Sequence, residues 1–349
     1  MKNRWALLGA VLMTLLLWCF PDPARTAALD SLSTWFYSVV PGLFPFFVLL
    51  PALTCPEAAQ IYERMLGRAM RPLFGLSGRT AAALGISLLS GSPAGAAALA
   101  RLDADQPFAP DEALRAALLC SGCNPLFLTG AVASGFLGRP DLGWVLVISQ
   151  ILALITSGML LRRVGKGKSL PARSPAPSAQ PTPAIKGAVL QILGIGGCMV
   201  FFGVIARLAA LCAALLLPNV NLETPLICFL ELGGGCASLC ALPMSDGLRI
   251  PLLSAVIGFS GLSICIQSLG YLKPMGVRAR DFLLGKGLHA LLCAGFSVLL
   301  MRLKAPAAPA FAPISAGSPD ATLFFAVLSA GCLLLPPLLG RIFSWRETR

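Results

Sequence analysis

The sequence predicts an all-α protein, a polytopic bundle of about nine to eleven transmembrane segments in two related halves with discontinuous or re-entrant helices. Three observations carry this. Of 349 residues, 56% are hydrophobic and only 12% charged, and the mean hydropathy is +0.81. The charges crowd into short gaps between long apolar runs, as expected when a charge at mid-membrane costs roughly 2.5 to 3.5 kcal/mol. The alternation of apolar and polar residues that a membrane barrel needs is absent, and a helical bundle satisfies every backbone group internally.

In chain order, residues 5–20 follow Lys2 and Arg4 and resemble a signal peptide. No small-x-small cleavage site precedes Pro21 and Pro23, so an uncleaved first helix over 1–24 is expected. Uncharged stretches then run over 31–54, 80–100, 116–138, 142–161, 187–206, 250–272 and 321–340. Most are long enough for a hydrocarbon core of ~30 Å, which takes about 20 helical residues. Two weaker segments are Thr224 to Met244, which carries Glu231, and Phe282 to Met301, which carries Lys286 and His289.

Between Arg162 and Lys186 the composition turns to Pro, Ser, Ala and Lys, which reads as a flexible linker. It separates a first half, 25–161, from a second, 187–349. Its positive cluster, with Arg162, Arg163, Lys166, Lys168, Arg173 and Lys186, places it in the cytoplasm. The basic residues at both termini suggest the same side, so at least one segment is expected to re-enter, and 80–100 is the candidate. A shift of 170 residues lays Ser90 and Gly91 over Ser260 and Gly261, a hint of internal duplication.

The formal charge of +12 does not indicate nucleic acid, because the Lys and Arg residues flank apolar segments instead of forming one basic face. Twelve Cys scattered through apolar sequence read as small buried thiols in the reduced state. Cys120 and Cys123 form a CxxC without the setting of a redox motif, and with one His in the chain no zinc site is expected. No paired carboxylates, catalytic triad or phosphate-binding loop is visible. The expectation is therefore no enzyme and no cofactor, but a transporter or channel in a lipid bilayer.

The chemistry gathers where helices should break. In LLSGSPAG, Ser90, Gly91, Ser92 and Gly95 surround Pro93, which removes a hydrogen-bond donor. Ser260, Gly261, Ser263 and Gln267 form a second such place, and Asn124 before Pro125 a third. Freed amides and dipoles at broken helices can replace a substrate's water shell, although small residues also serve close helix packing. Glu231, an acid beside three glycines, is a candidate ligand for a coupling H⁺ or Na⁺ or a partner for Arg207; it also fits an interfacial acid. Charges around Lys286 and His289, after Arg278, Arg280 and Asp281, read mainly as solvated or snorkelling at a helix entrance.

VVPGLFPFFVL at 39–49, LLSGSPAGAAALARL at 88–102, CSGCNPLFLTGAV at 120–132, LELGGGC at 230–236 and GFSGLSICIQSL at 258–269 together resemble the YlbJ family of sporulation integral membrane proteins. That family looks related to the spore maturation proteins and to the nucleoside-recognition Gate domain of concentrative nucleoside transporters. The resemblance implies a mother-cell protein that moves dipicolinate, a small aromatic dianion, across the outer forespore membrane. Departures fall at Ser92, Ala97, Ser121, Gly122 and Cys265, where the pattern has aromatic, basic, amide and His residues, and they bear on substrate identity. A nucleoside or other small-solute permease, and a membrane scaffold for sporulation that transports nothing, are the alternatives.

Overall fold

A computed structural model describes residues 2–53, 56–162, 184–216 and 222–304. Most of the linker, including Ser174 and Ser178, and the apolar stretch 321–340 lie outside the described residues. The described chain is mostly helical, with no strand among those residues.

The first helix, α1 (Lys2–Cys19), bends by 102° into the next helical run, which begins with α2 (Pro21–Thr34). Phe20 is the hinge, and prolines at 21 and 23 suit the first turn of a new helix, where a missing N–H costs nothing. A π-helical turn, Trp35–Val39, joins α2 to α3 (Val40–Leu53). Next, α4 (Pro56–Ala69) is amphipathic and carries Glu57, Glu63, Arg64 and Arg68, which suits the membrane interface better than its core.

From Thr80 the chain follows an order that recurs from Glu223. Two short helices meet at a break: α5 (Thr80–Ser90) and α6 (Ala94–Asp105). A discontinuous helix follows, α7 (Pro110–Leu119) and the π-helix Phe127–Phe136, and then a long helix, α8 (Gly143–Leu161). After α9 (Ala184–Leu216) the second series runs α10 (Glu223–Leu230) and α11 (Leu232–Ala241), then α12 (Asp246–Phe259) and α13 (Gly261–Leu272), then α14 (Ala279–Lys304). Thr80 thus falls on Glu223 and Leu161 on Lys304. Matched by element order and not by one fixed shift, the Ser90–Pro93 break corresponds to Glu231 and the Asn124 break to Ser260–Gly261, which differs from the 170-residue shift.

Among the described residues four helical stretches are long and apolar enough to cross a membrane: Pro140–Leu161, Ala184–Leu215, Asp246–Leu272 and Ala279–Leu303; counting the bent pair near the N-terminus gives five. The nine to eleven segments expected of the whole chain include 321–340, outside the described residues. Within the described residues the runs at 80–100, 116–138 and 224–244 are each cut into pieces too short to span. Only a third of the apolar window of α9 is buried, against about half for the other three, so α9 presents much of its surface to lipid.

The two series do not form separate cores. One buried cluster joins Ile86, Leu99 and Leu119 to Cys265, Leu272, Phe282 and Leu288. A second joins Leu128, Val145 and Leu146 to Leu232, Cys236, Leu253 and Ile257. Helix α14 packs on α12 and α8, while α9 packs on α2 and α3. At the α12–α14 crossing Gly258 allows the backbones to meet, since a Cβ there would lie 2.7 Å from the Cα of Ala290.

Candidate functional site

The site grows from pairs of breaks held against each other. Helix α5 ends when Gly91 takes φ +76°, and a Cβ at that position would sit 2.5 Å from the amide nitrogen of Asn124. Only glycine meets both demands. The Ser92 amide then donates to the Gly122 carbonyl at 2.8 Å, tying the α5–α6 break to the extended connector after α7. Gly95 serves the same junction, because its Cβ would lie 2.2 Å from the Cys120 carbonyl oxygen. Beyond Pro125 the helix restarts, and the Asn124 Oδ1 accepts from the Leu126 amide at 2.7 Å.

The second pair is built alike. Glu231 is extended (φ −139°, ψ 130°) between α10 and α11, and its carboxylate caps α11. Oε1 accepts from the Gly233 amide at 3.0 Å and Oε2 from the Gly234 amide. A carboxylate on free N–H groups at a helix start meets both their hydrogen-bonding need and the positive end of the dipole. Gly261, at φ +69°, packs onto this break: a Cβ would lie 2.8 Å from the Leu232 amide nitrogen. Ser260 also lies at positive φ, +71°, where a residue with a Cβ is strained.

Between the two pairs lies a cavity of about 50 Å³ lined by Ser90, Ser92, Pro93, Cys123, Asn124, Glu231, Leu232, Gly233, Ser263 and Gln267, with Val39, Phe127, Ile195, Met199 and Ile264 as apolar walls. Of the residues singled out in the sequence, Ser90, Ser92, Asn124, Ser263, Gln267 and Glu231 therefore meet at one place. Gly91, Gly95, Ser260 and Gly261 stand behind them and hold the breaks together; the Ser260 Oγ is occupied, donating to the Ile257 carbonyl at 3.1 Å. The Oγ atoms of Ser90 and Ser263, the Asn124 Nδ2 and the Gln267 Nε2 are buried without a protein hydrogen-bond partner. Polar groups in such positions normally have one, so four groups with unmet capacity converge on the cavity.

Two expectations change. Arg207 does not pair with Glu231: it bonds Glu223 at the start of α10, while Glu231 spends its carboxylate on α11. Lys286 and His289 are not at a solvated entrance but inside α14, 1% and 2% exposed, with the Lys286 Nζ donating to the Ser121 carbonyl at 2.9 Å. Cys120 and Cys123 are unpaired thiols, as are all the described cysteines. Ile195 and Met199 were not foreseen as cavity residues, because one helical turn of apolar spacing on α9 carries no chemical signal.

No family model matches the chain, and no solved structure does. Among curated proteins it is similar to the sporulation integral membrane protein YlbJ of Bacillus subtilis (strain 168): 28% identical over 320 residues, covering 81% of this chain and 78% of that protein. The similarity and the apolar helices support an integral membrane protein similar to YlbJ.

Proposed function

We propose that the chain is a member of the YlbJ family and a secondary transporter of a small organic anion, dipicolinate, across the outer forespore membrane during sporulation. The observation that supports it most is the convergence of Ser90, Asn124, Ser263 and Gln267, each with an unused polar group, on a cavity between two pairs of helix breaks. Hydroxyls and amides suit carboxylates, and the walls of Val39, Phe127, Ile195, Met199 and Ile264 suit a flat ring. At about 50 Å³ the cavity has room for a water or two. An aromatic dianion enters only if the paired breaks separate, and such motion is what alternating access requires.

The recurring element order reads as two related halves facing each other across the cavity, the arrangement that relationship to a Gate domain implies. Glu231 is the coupling-ion candidate: it lines the cavity, its oxygens accept from the Gly233 and Gly234 amides, and a carboxylate has acceptor capacity beyond two such bonds for H⁺ or Na⁺. One observation favours a second reading. A resident carboxylate in the wall repels a dianion and accepts hydrogen bonds from an uncharged solute, which suits a nucleoside.

The test is uptake of labelled dipicolinate into proteoliposomes holding the purified chain, with uridine as competitor. Saturable dipicolinate uptake that excess uridine leaves intact supports the first reading, and uptake of uridine itself supports the second. Uptake of neither, by protein shown to be folded, leaves the membrane scaffold.

A further inference from the structure

The cavity wall contains a carboxylate, yet an anion carrier needs a fixed positive charge within reach. Lys286 is the buried cation of α14, 1% exposed, and no carboxylate pairs with it among the described residues. Among the described residues the ionisable side chains that interact with its charge are His289 and the thiols of Cys265, Cys293 and Cys123. An ammonium without a counter-ion at membrane depth is costly, which makes it a functional candidate by default.

Its anchorage points toward the cavity. The Nζ donates to the Ser121 carbonyl, and the next carbonyl, that of Gly122, accepts the Ser92 amide. The next two residues, Cys123 and Asn124, line the cavity itself. Lys286 therefore stands one layer of backbone behind the wall, on the connector that joins both breaks of the first series. Its seat is closely packed: a Cβ on the neighbouring Gly285 would fall 2.4 Å from the Leu118 side chain, so α14 lies against the end of α7. Carbonyls at that helix end supply partial negative charge, which holds the ammonium but does not neutralise it.

We propose that Lys286 is the specificity-determining charge of the site, a positioning residue that selects anionic over uncharged solutes without touching them. This rests on the transport reading above. Lys286→Gln keeps a donor for the Ser121 carbonyl and removes the charge; Lys286→Arg keeps the charge. Binding of dipicolinate and of uridine to each purified protein is measured at low salt by calorimetry, with thermal melting to confirm folding. In Lys286→Gln the ratio of dipicolinate to uridine affinity falls by roughly tenfold or more, because a charge in a low-dielectric wall acts over several ångströms, and Lys286→Arg restores much of it.

A structural peg would weaken both probes alike, so an unchanged ratio in folded Lys286→Gln overturns the assignment while leaving transport standing. Should Lys286→Gln not fold, Lys286→Met and Lys286→Arg are compared in the same way, and equal ratios in those two overturn it. Failure of the wild-type protein to bind either probe overturns the transport reading and this proposal with it.

Discussion

Gly261 stands directly against Leu232: a Cβ at position 261 would lie 2.8 Å from the Leu232 amide nitrogen and 3.1 Å from the carbonyl carbon of Glu231. Gly91 holds the same relation to Asn124. The broken helices are thus locked in pairs by backbone contact, and each lock needs a glycine for space and for its positive φ. Gly261→Ala and Gly91→Ala are expected to lower stability by about 2 kcal/mol or more and to abolish transport. Gly197 and Gly287 have nothing within 4 Å of a built Cβ, and alanine there should be tolerated. Melting in detergent and uptake measured across the four variants check this; equal tolerance at all four positions would dissolve the locking argument.

Glu231 has a separable role. As cap of α11 it accepts from the Gly233 and Gly234 amides, and Glu231→Gln replaces one acceptor with an NH₂ that faces a donor. A stability loss of about 1 kcal/mol is expected, the usual size for a lost cap. If the carboxylate also carries the coupling ion, this variant loses concentrative uptake and keeps exchange of substrate down its gradient. Accumulation at wild-type levels over the whole range of external pH would leave Glu231 with the cap alone.

The unpartnered donors give an opposite signature. Ser263 has no protein bond to lose at its Oγ, so Ser263→Ala should leave the melting temperature unchanged or slightly higher, since an unmet buried hydroxyl costs about 1 to 3 kcal/mol. Binding of dipicolinate should nevertheless weaken by about fivefold to tenfold, the value of one hydrogen bond. Ser260→Ala is the control, because the Ser260 Oγ is already engaged by the Ile257 carbonyl. Calorimetric titration of both variants decides it, and a melting point that falls in Ser263→Ala without loss of binding would contradict the role assigned.

The breaks were legible in the sequence because they are local events. Gly91 with Pro93, Asn124 with Pro125, and Ser260 with Gly261 each disfavour helix within a few residues, and the chain breaks at each. Glu231 was visible as an acid in apolar sequence, yet its duty as a cap depends on the amides of Gly233 and Gly234 lying at a helix start, which hydropathy does not reveal. The pairing of breaks was hidden, since contact between Gly91 and Asn124 or between Gly261 and Leu232 is tertiary. For the same reason Lys286 read as a snorkelling side chain: its partner, Ser121, is 165 residues away. The interruptions at 80–100, 116–138 and 224–244 were hidden for a related cause, because hydropathy registers an apolar run whether or not a helix continues through it.

Membrane orientation supplies the last prediction. Lys166, Lys168 and Arg173 lie in a Pro- and Ser-containing stretch, and basic residues in a short connection are retained on the cytoplasmic side. Ser174 lies outside the described residues, so sequence carries this argument alone. A single Cys at position 174, in a chain depleted of its own cysteines, should resist an impermeant thiol reagent in intact cells and react after permeabilisation. A Cys replacing the exposed Gly138, in the turn between the π-helix and α8, is the companion probe: α8 (Gly143–Leu161) lies between that turn and the linker. Being 22 residues long over Pro140–Leu161, this stretch crosses ~30 Å once, and position 138 should label before permeabilisation. Labelling of both positions in intact cells would mean that α8 does not span; labelling of 174 alone would reverse the orientation.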